Sequence, residues 1–183
     1  MKSGSIILTG LACAVVVLAG GCGESGARLV GERKVILPPE VVGIWRANDS
    51  PWVIELSPDG KVVKALVPMT ESEIRPNQTT KVKMADGSTS TLKAGDCPVE
   101  YNLQTRELTV TIELKAFHVR YYEERIDGNS TDMFIGQVSQ DGRTWYADWM
   151  TFFDYGPRFP QDKNDPNDIF MGSLLFRKVI KQP

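Results

Sequence analysis

Four Asp-Gly dipeptides, each lying between two short segments with the pattern of strands, constrain the fold of this chain more than any other feature. They are Asp59-Gly60, Asp86-Gly87, Asp127-Gly128 and Asp141-Gly142. A tight hairpin turn needs residues with positive φ, which glycine adopts without steric cost. Each dipeptide therefore predicts a turn between two antiparallel strands.

The segments between the turns alternate between apolar and polar residues, as expected for half-buried strands. The clearest pattern is Leu108–Ala116, in which every second residue from Leu108 is apolar. Trp52–Leu56 alternates in the same way, and Ile169–Val179 predicts the closing strand, with Phe170, Gly172, Leu174 and Phe176 on one face. No segment has a sustained helical period. The sequence predicts an all-β, antiparallel up-and-down meander of roughly eight to ten strands that closes into a barrel.

The first residues have the pattern of a targeting signal. Met1-Lys2 precedes the apolar segment Ile6–Leu18, which is too short to span a bilayer comfortably, and small residues follow before Cys22. The segment Leu18–Cys22 resembles the lipobox of bacterial lipoproteins, although Ala19 stands where that family more often has Leu, Val or Ile. The resemblance implies cleavage before Cys22 and a lipid on its thiol. A plain signal peptide and a transmembrane anchor are the alternatives.

The resemblance divides the chain into a lipoprotein signal peptide (1–21), a lipidated flexible tether (22–39) and a β-barrel domain (40–183). It implies a protein held in the cell envelope by its lipid anchor. Gly23 follows the cysteine in place of the aspartate that resembles an inner-membrane retention signal, so the outer membrane is the expected location. Either face of that membrane is open.

The segment Gly43-Ile44-Trp45 resembles the Gly-x-Trp motif of the lipocalins and the wider calycins. In that family the tryptophan closes one end of the barrel, and a basic residue of the last strand packs over it. The resemblance implies structural roles for Gly43, Trp45 and Arg177, with Lys178 as the second candidate for the basic residue. It also implies a ligand cavity at the open end of a lipocalin-like barrel.

Four aromatic residues are candidates to line that cavity: Tyr121, Phe134, Trp145 and Trp149. The alternative is that they fill the interior, as side chains do in many small barrels. The first interpretation predicts a binding module for a small apolar ligand or a lipid. The second predicts a protein-interaction or inhibitor domain with a filled barrel, whose partner binds at the aromatic-rich Asp154–Asp168 loop.

The sequence gives little support to catalysis or metal binding. His118 is the only histidine, and zinc requires three or four nitrogen or sulfur ligands. The oxygen-rich segment Asp162–Asp168 is interrupted by Pro166 and lacks the glycine of a calcium loop. We expect no enzyme activity, catalytic residue, metal or cofactor. Scattered basic residues and a net charge of −2 argue against nucleic acid. Cys97 is expected to be a buried free thiol.

We predict that Cys22 is the mature N-terminus and carries the lipid. Replacing the thiol by a hydroxyl removes the group that is acylated, so Cys22→Ser should leave an unprocessed or soluble form. Membrane fractionation and the mass of the protein measure both effects. A Cys22→Ser protein that stays fully membrane-bound and is cleaved at the same site would refute the lipoprotein interpretation.

Overall fold

The computed structural model describes residues 36–68, 71–83, 87–121, 124–154 and 169–180. Within these residues the chain forms eleven strands. They are β1 (Gly43–Ala47), β2 (Val53–Leu56), β3 (Val62–Val67), β4 (Ser72–Ile74), β5 (Thr79–Lys83), β6 (Thr89–Ala94), β7 (Val99–Asn102), β8 (Glu107–Tyr121), β9 (Glu124–Val138), β10 (Thr144–Asp154) and β11 (Ile169–Lys178). Among the described residues there is no helix with the length and apolar character needed to cross a membrane.

The strands follow one another around a nearly closed antiparallel barrel. Their order is β4-β3-β2-β1-β11-β10-β9-β8-β6-β5, and β7 pairs with the first part of β8. The first and last strands pair with each other, which closes the meander on one side. On the other side the two ends of the path approach, and Thr80 Oγ1 of β5 donates to the Glu73 carbonyl of β4 at 3.3 Å. The predicted all-β meander is confirmed, with eleven strands in the described residues instead of eight to ten.

The alternation predicted for β8 is correct up to its middle. Leu108, Val110, Ile112 and Leu114 are all buried. A register shift between Leu114 and Phe117 then moves the inward face by one residue, so Phe117 is buried and Ala116 is not. Because a bulge places two residues opposite one, it bends a long strand and helps it to follow the curvature of the barrel.

Asp59-Gly60 and Asp141-Gly142 lie at turns, as predicted, and Gly87 lies between the paired strands β5 and β6. Gly60, Gly87 and Gly142 have φ values of 70°, 81° and 65°, the left-handed conformation that glycine tolerates. The prediction of a turn at Asp127-Gly128 is wrong. Both residues lie inside β9 and pair with β8, because the pairing of the two long strands continues past the register shift until Tyr121 faces Glu124.

Large aromatic side chains fill one half of the barrel interior. Trp145 stacks on Phe176 with ring centroids 4.7 Å apart, and Trp45 meets Trp145 edge-on at 6.2 Å. Phe134 contacts Phe176 at 5.6 Å. All four side chains are completely buried. Burying an aromatic side chain removes a large apolar area from water, so this half of the barrel provides much of the hydrophobic stabilisation.

The chain preceding β1 covers the filled end of the barrel. Leu37 and Val41 are buried, and the Leu37 amide donates to the Pro58 carbonyl at 3.0 Å. The Trp45 indole N–H donates to the Val41 carbonyl at 2.8 Å. The packed domain therefore already includes Leu37, which lies in the segment that was predicted to be the flexible tether (22–39).

Lys178, and not Arg177, is the basic residue over Trp45. Its Nζ lies 5.9 Å from the centre of the indole and donates to the carbonyls of Pro39 and Glu40 at 3.0 and 2.9 Å. Arg177 points outward and is exposed, because alternation along β11 puts residue 178 on the same face as Phe176. This corrects the expectation for Arg177.

Gly43 has a structural reason to be glycine. Its φ is +125°, a conformation that other residues rarely adopt. A Cβ at this position would also lie 3.3 Å from Cε of Lys178. The glycine thus leaves room for the lysine side chain that packs over Trp45.

We predict that Trp45→Ala lowers the free energy of unfolding by about 3–5 kcal/mol, through lost burial and the cavity that remains. Lys178→Ala should cost less, and its effect should be non-additive with that of Trp45→Ala because the side chains are in contact. Arg177→Ala is the matched control and should change stability by less than about 0.5 kcal/mol. Urea denaturation of the wild-type protein, the three single variants and the Trp45→Ala/Lys178→Ala double variant measures these effects. A larger cost for Arg177→Ala than for Lys178→Ala would contradict this assignment.

Candidate functional site

The end of the barrel opposite Trp45 contains a pocket, which we call the mouth pocket. Its volume is about 260 Å³. It lies where β3 and β10 end and where β2 and β9 begin. Its lining is mostly apolar, with three polar side chains on β9 and β10: Trp52, Val67, Pro68, Ser130, Asp132, Trp149, Thr151 and Phe153.

The pairing of β9 with β10 sets the order of side chains along one wall. Trp149 faces Phe134, Thr151 faces Asp132, and Phe153 faces Ser130. These residues share the inward face with Trp145 and Ala147, which lie deeper in the barrel. The interior therefore changes along these two strands from packed aromatic rings to a partly open, partly polar pocket.

Aromatic rings form the floor of the mouth pocket and hold each other in place. Trp52 meets Phe134 edge-on at 5.0 Å and Trp149 edge-on at 6.3 Å. Phe134 and Trp149 are nearly parallel, with centroids 6.3 Å apart. Edge-to-face and offset-stacked geometries are those that aromatic pairs prefer. The floor is thus preorganised, which lowers the entropic cost of binding a ligand against it.

Asp132 is a carboxyl group buried at the wall of this apolar pocket. Only 5% of the residue is exposed, and its Oδ1 accepts a hydrogen bond from the Trp149 indole N–H at 2.9 Å. Burial raises the pKa of the carboxyl above its ordinary value of 3.8, and the Trp149 N–H and the nearby Thr151 hydroxyl offset only part of this effect. A carboxylate in such a site favours a partner that donates a hydrogen bond.

Two further polar groups of the pocket lining lack a hydrogen-bond partner among the described residues. They are the indole N–H of Trp52 and the hydroxyl of Thr151, in residues that are 1% and 2% exposed. The Thr151 hydroxyl lowers the pKa of Asp132 by proximity, but it does not have the geometry of a hydrogen bond. A buried polar group without a partner costs about 1–3 kcal/mol. Such groups call for an explanation, and a ligand that pairs with them provides one.

The sequence-predicted site residues separate into different places. Trp149 lines the mouth pocket as expected. Phe134 and Trp145 are completely buried and belong to the packing below it, which corrects the expectation that they line a cavity. Tyr121 ends β8, and its side chain lies outside the described part of the structure. Cys22 and residues 155–168 of the Asp154–Asp168 loop also lie outside the described residues.

Asp132, Thr151 and Trp52 were not predicted as pocket residues. Alternation carried a usable signal, because Asp132 is two residues from Phe134 and therefore shares its face. Thr151 is likewise two residues from Trp149. Trp52 was correctly placed on the inward face of its strand, but only the closed barrel brings it beside Trp149.

A groove of about 280 Å³ lies on the outside of the barrel, between β1 and β4. Two of its charged groups already form an ion pair, since Lys64 Nζ lies 2.7 Å from Glu73 Oε2, and Glu73 Oε1 also lies 3.0 Å from Arg75. The mouth pocket is the better site for a small ligand, because it is inside the barrel and has unpaired polar groups among the described residues.

The other chemically notable residues lie apart from the mouth pocket. His118 Nδ1 is 2.6 Å from Asp127 Oδ1, and both side chains are largely exposed. Cys97 is buried and unpaired among the described residues, and burial raises the pKa of its thiol. The described residues contain no group of three or more His, Cys, Asp or Glu side chains arranged to hold a metal ion.

Comparisons of the chain with protein-family models, with curated proteins and with solved structures find no match. The resemblances to lipoproteins and lipocalins therefore stay predictions from short motifs.

We predict that Asp132→Asn makes the protein more stable at pH 7. The pKa of the wild-type carboxyl is higher in the folded than in the unfolded protein. Its favourable contribution to the free energy of unfolding is therefore complete below pH 3.8, and it is lost as the pH rises through the raised pKa. A difference of one between the pKa values of the folded and unfolded states corresponds to about 1.4 kcal/mol. Asparagine keeps an oxygen that can accept from the Trp149 indole.

Urea denaturation of both proteins between pH 3 and pH 8 tests this prediction, and their difference in stability should shrink towards about pH 4. The control is Asp148→Asn, on the outward face of β10, where the carboxyl is exposed. A wild-type protein more stable than Asp132→Asn at pH 7, or a difference independent of pH, would contradict the assignment.

Proposed function

We propose that this protein is a lipid-anchored binding module of the cell envelope that holds a small, largely apolar ligand in the mouth pocket. The observation that carries the proposal is the pocket itself: about 260 Å³, inside the barrel, with mostly apolar walls. Ligand pockets typically measure about 300–1,000 Å³. The mouth pocket suits a small molecule or one end of a longer one.

The division of the barrel into two halves supports this proposal. The filled half supplies packing energy that does not depend on a ligand, since Trp45, Trp145 and Phe176 are buried without one. The open half is lined by Trp52 and Trp149, whose rings pack against the buried Phe134. A ligand can therefore bind there without the domain having to fold around it.

The anchor is part of the same proposal and rests on the Leu18–Cys22 segment. A lipidated Cys22 would keep the barrel at a membrane surface, where apolar ligands are concentrated. Attachment to the outer membrane is supported by Gly23, which follows Cys22 in place of the aspartate of an inner-membrane retention signal. No catalytic step belongs to the proposed role.

A protein-interaction role is the second candidate, and one observation favours it. The outward faces of β10 and β11 expose Tyr146, Phe152 and Met171, with 59%, 41% and 64% of their surfaces accessible. Phe152 and Met171 are near neighbours across β10 and β11, and neighbouring exposed apolar side chains are typical of contact surfaces. A protein partner whose binding is abolished by Met171→Asp would favour this role, if no small molecule binds to the mouth pocket.

We predict that a neutral naphthylamine dye binds the mouth pocket and saturates at one dye per chain. Trp149→Ala should weaken binding by about ten-fold or more, because it removes a ring from the pocket floor. Tyr146→Ala is the matched control, since it removes an aromatic side chain from the outward face of the same strand. Dye fluorescence gives the affinity, and bound dye should also raise the melting temperature.

Failure of a broad apolar panel to bind saturably, or equal weakening by Tyr146→Ala and Trp149→Ala, would contradict the mouth pocket as the ligand site. Native mass spectrometry of the protein purified from its own envelope extends the test. A co-purifying small molecule that is absent from the Trp149→Ala protein is the expected result.

A further inference from the structure

We propose that the ligand of the mouth pocket is an uncharged amphiphile, whose head group both donates and accepts hydrogen bonds, as a hydroxyl does. This inference rests on the proposed function and names the class of ligand. The head group would lie against Asp132 and Thr151, and the hydrocarbon part against the aromatic and aliphatic walls.

Apart from the indole N–H of Trp52, the polar groups of the pocket lie on one wall, formed by β9 and β10. Asp132 and Thr151 are cross-strand neighbours on β9 and β10, and Ser130 follows on the same inward face. All three are buried, and all three line the pocket. Val67, Pro68 and Phe153 provide apolar lining. A ligand that matches this distribution has a polar group at one end and an apolar body.

The hydrogen-bonding capacity of this wall is mixed. Asp132 Oδ1 accepts from Trp149 at 2.9 Å, and the carboxylate has further lone pairs. The Thr151 hydroxyl both donates and accepts, and the Trp52 indole N–H only donates. Both are unpartnered among the described residues. A head group that donates to Asp132 and accepts from Trp52 or Thr151 would satisfy the set.

Other head groups fit less well. A carboxylate would place a second negative charge beside Asp132 in an apolar surrounding, where like charges repel strongly. A quaternary ammonium ion cannot donate a hydrogen bond to Asp132 and offers no acceptor to Trp52 or Thr151. A hydrocarbon without a head group would leave Trp52, Thr151 and the remaining lone pairs of Asp132 without a partner. A hydroxyl pairs with Asp132 whether the carboxyl is ionised or protonated.

The test compares three ligands with the same eight-carbon chain at pH 7.5: 1-octanol, octanoate and octyltrimethylammonium. Binding to the wild-type protein is measured by calorimetry and by tryptophan fluorescence. We expect saturable binding of 1-octanol, and affinities at least about ten-fold lower for the two charged ligands. Asp132→Asn should reduce the difference in affinity between 1-octanol and octanoate to about three-fold or less, because it removes the charge that repels octanoate. Asp148→Asn, on the outside of the barrel, should leave the series unchanged.

Thr151→Val is the second variant and keeps the shape of the side chain. It should lower the affinity for 1-octanol by about two- to ten-fold, which is the effect expected from the loss of one hydrogen bond. Thr151→Val still tests the proposed head-group contact if Asp132→Asn does not fold. Saturable binding of all three ligands with similar affinity, or tighter binding of either charged ligand, would overturn this inference and leave the proposed function standing. Binding of none of the three, together with failure of the apolar panel, would overturn both.

Discussion

Phe134 lies at the centre of the aromatic cluster on which the barrel interior depends. Its ring contacts Trp145 and Phe176 on the filled side, at 6.2 and 5.6 Å. It contacts Trp52 and Trp149 on the open side, at 5.0 and 6.3 Å. Each such aromatic pair contributes about 0.5–1.5 kcal/mol beyond its burial. Phe134 therefore lies between the packed half of the barrel and the mouth pocket, and supports the two tryptophans that line the pocket.

This separation explains how one small domain can carry unpaired polar groups. The end at Trp45 is covered by Leu37 and Val41 and held by the hydrogen bonds of Lys178, so it supplies stability without a ligand. The end at Asp132 then tolerates a desolvated carboxyl and a buried hydroxyl. Proteins commonly accept such local costs at functional sites and offset them elsewhere.

The sequence predicted the fold class because its signals are local. Asp-Gly turns and period-2 alternation specify strands and hairpins residue by residue, and both held over most of the chain. The alternation of Leu174 and Phe176 also places Lys178 on the inward face, a signal that the prediction did not use. The family resemblance had favoured Arg177, which the geometry of β11 places outside. The pairing of Asp127-Gly128 inside β9 was missed, because it depends on how two long strands curve together. The pocket depends on contacts between residues that are even farther apart in the sequence, since Trp52 and Trp149 meet only when the barrel closes.

The central claim is that ligand binds at the open end, beside Trp52 and Asp132, and leaves the end at Trp45 unchanged. Proton–nitrogen NMR of the indole N–H groups reports on both ends at once, because the chain has four tryptophans. On titration with 1-octanol, the account predicts large, saturable shifts for Trp52 and Trp149. Trp45, whose N–H is bonded to the Val41 carbonyl, should not move. Unchanged Trp52 and Trp149 signals at saturation, or an equal shift of Trp45, would contradict it.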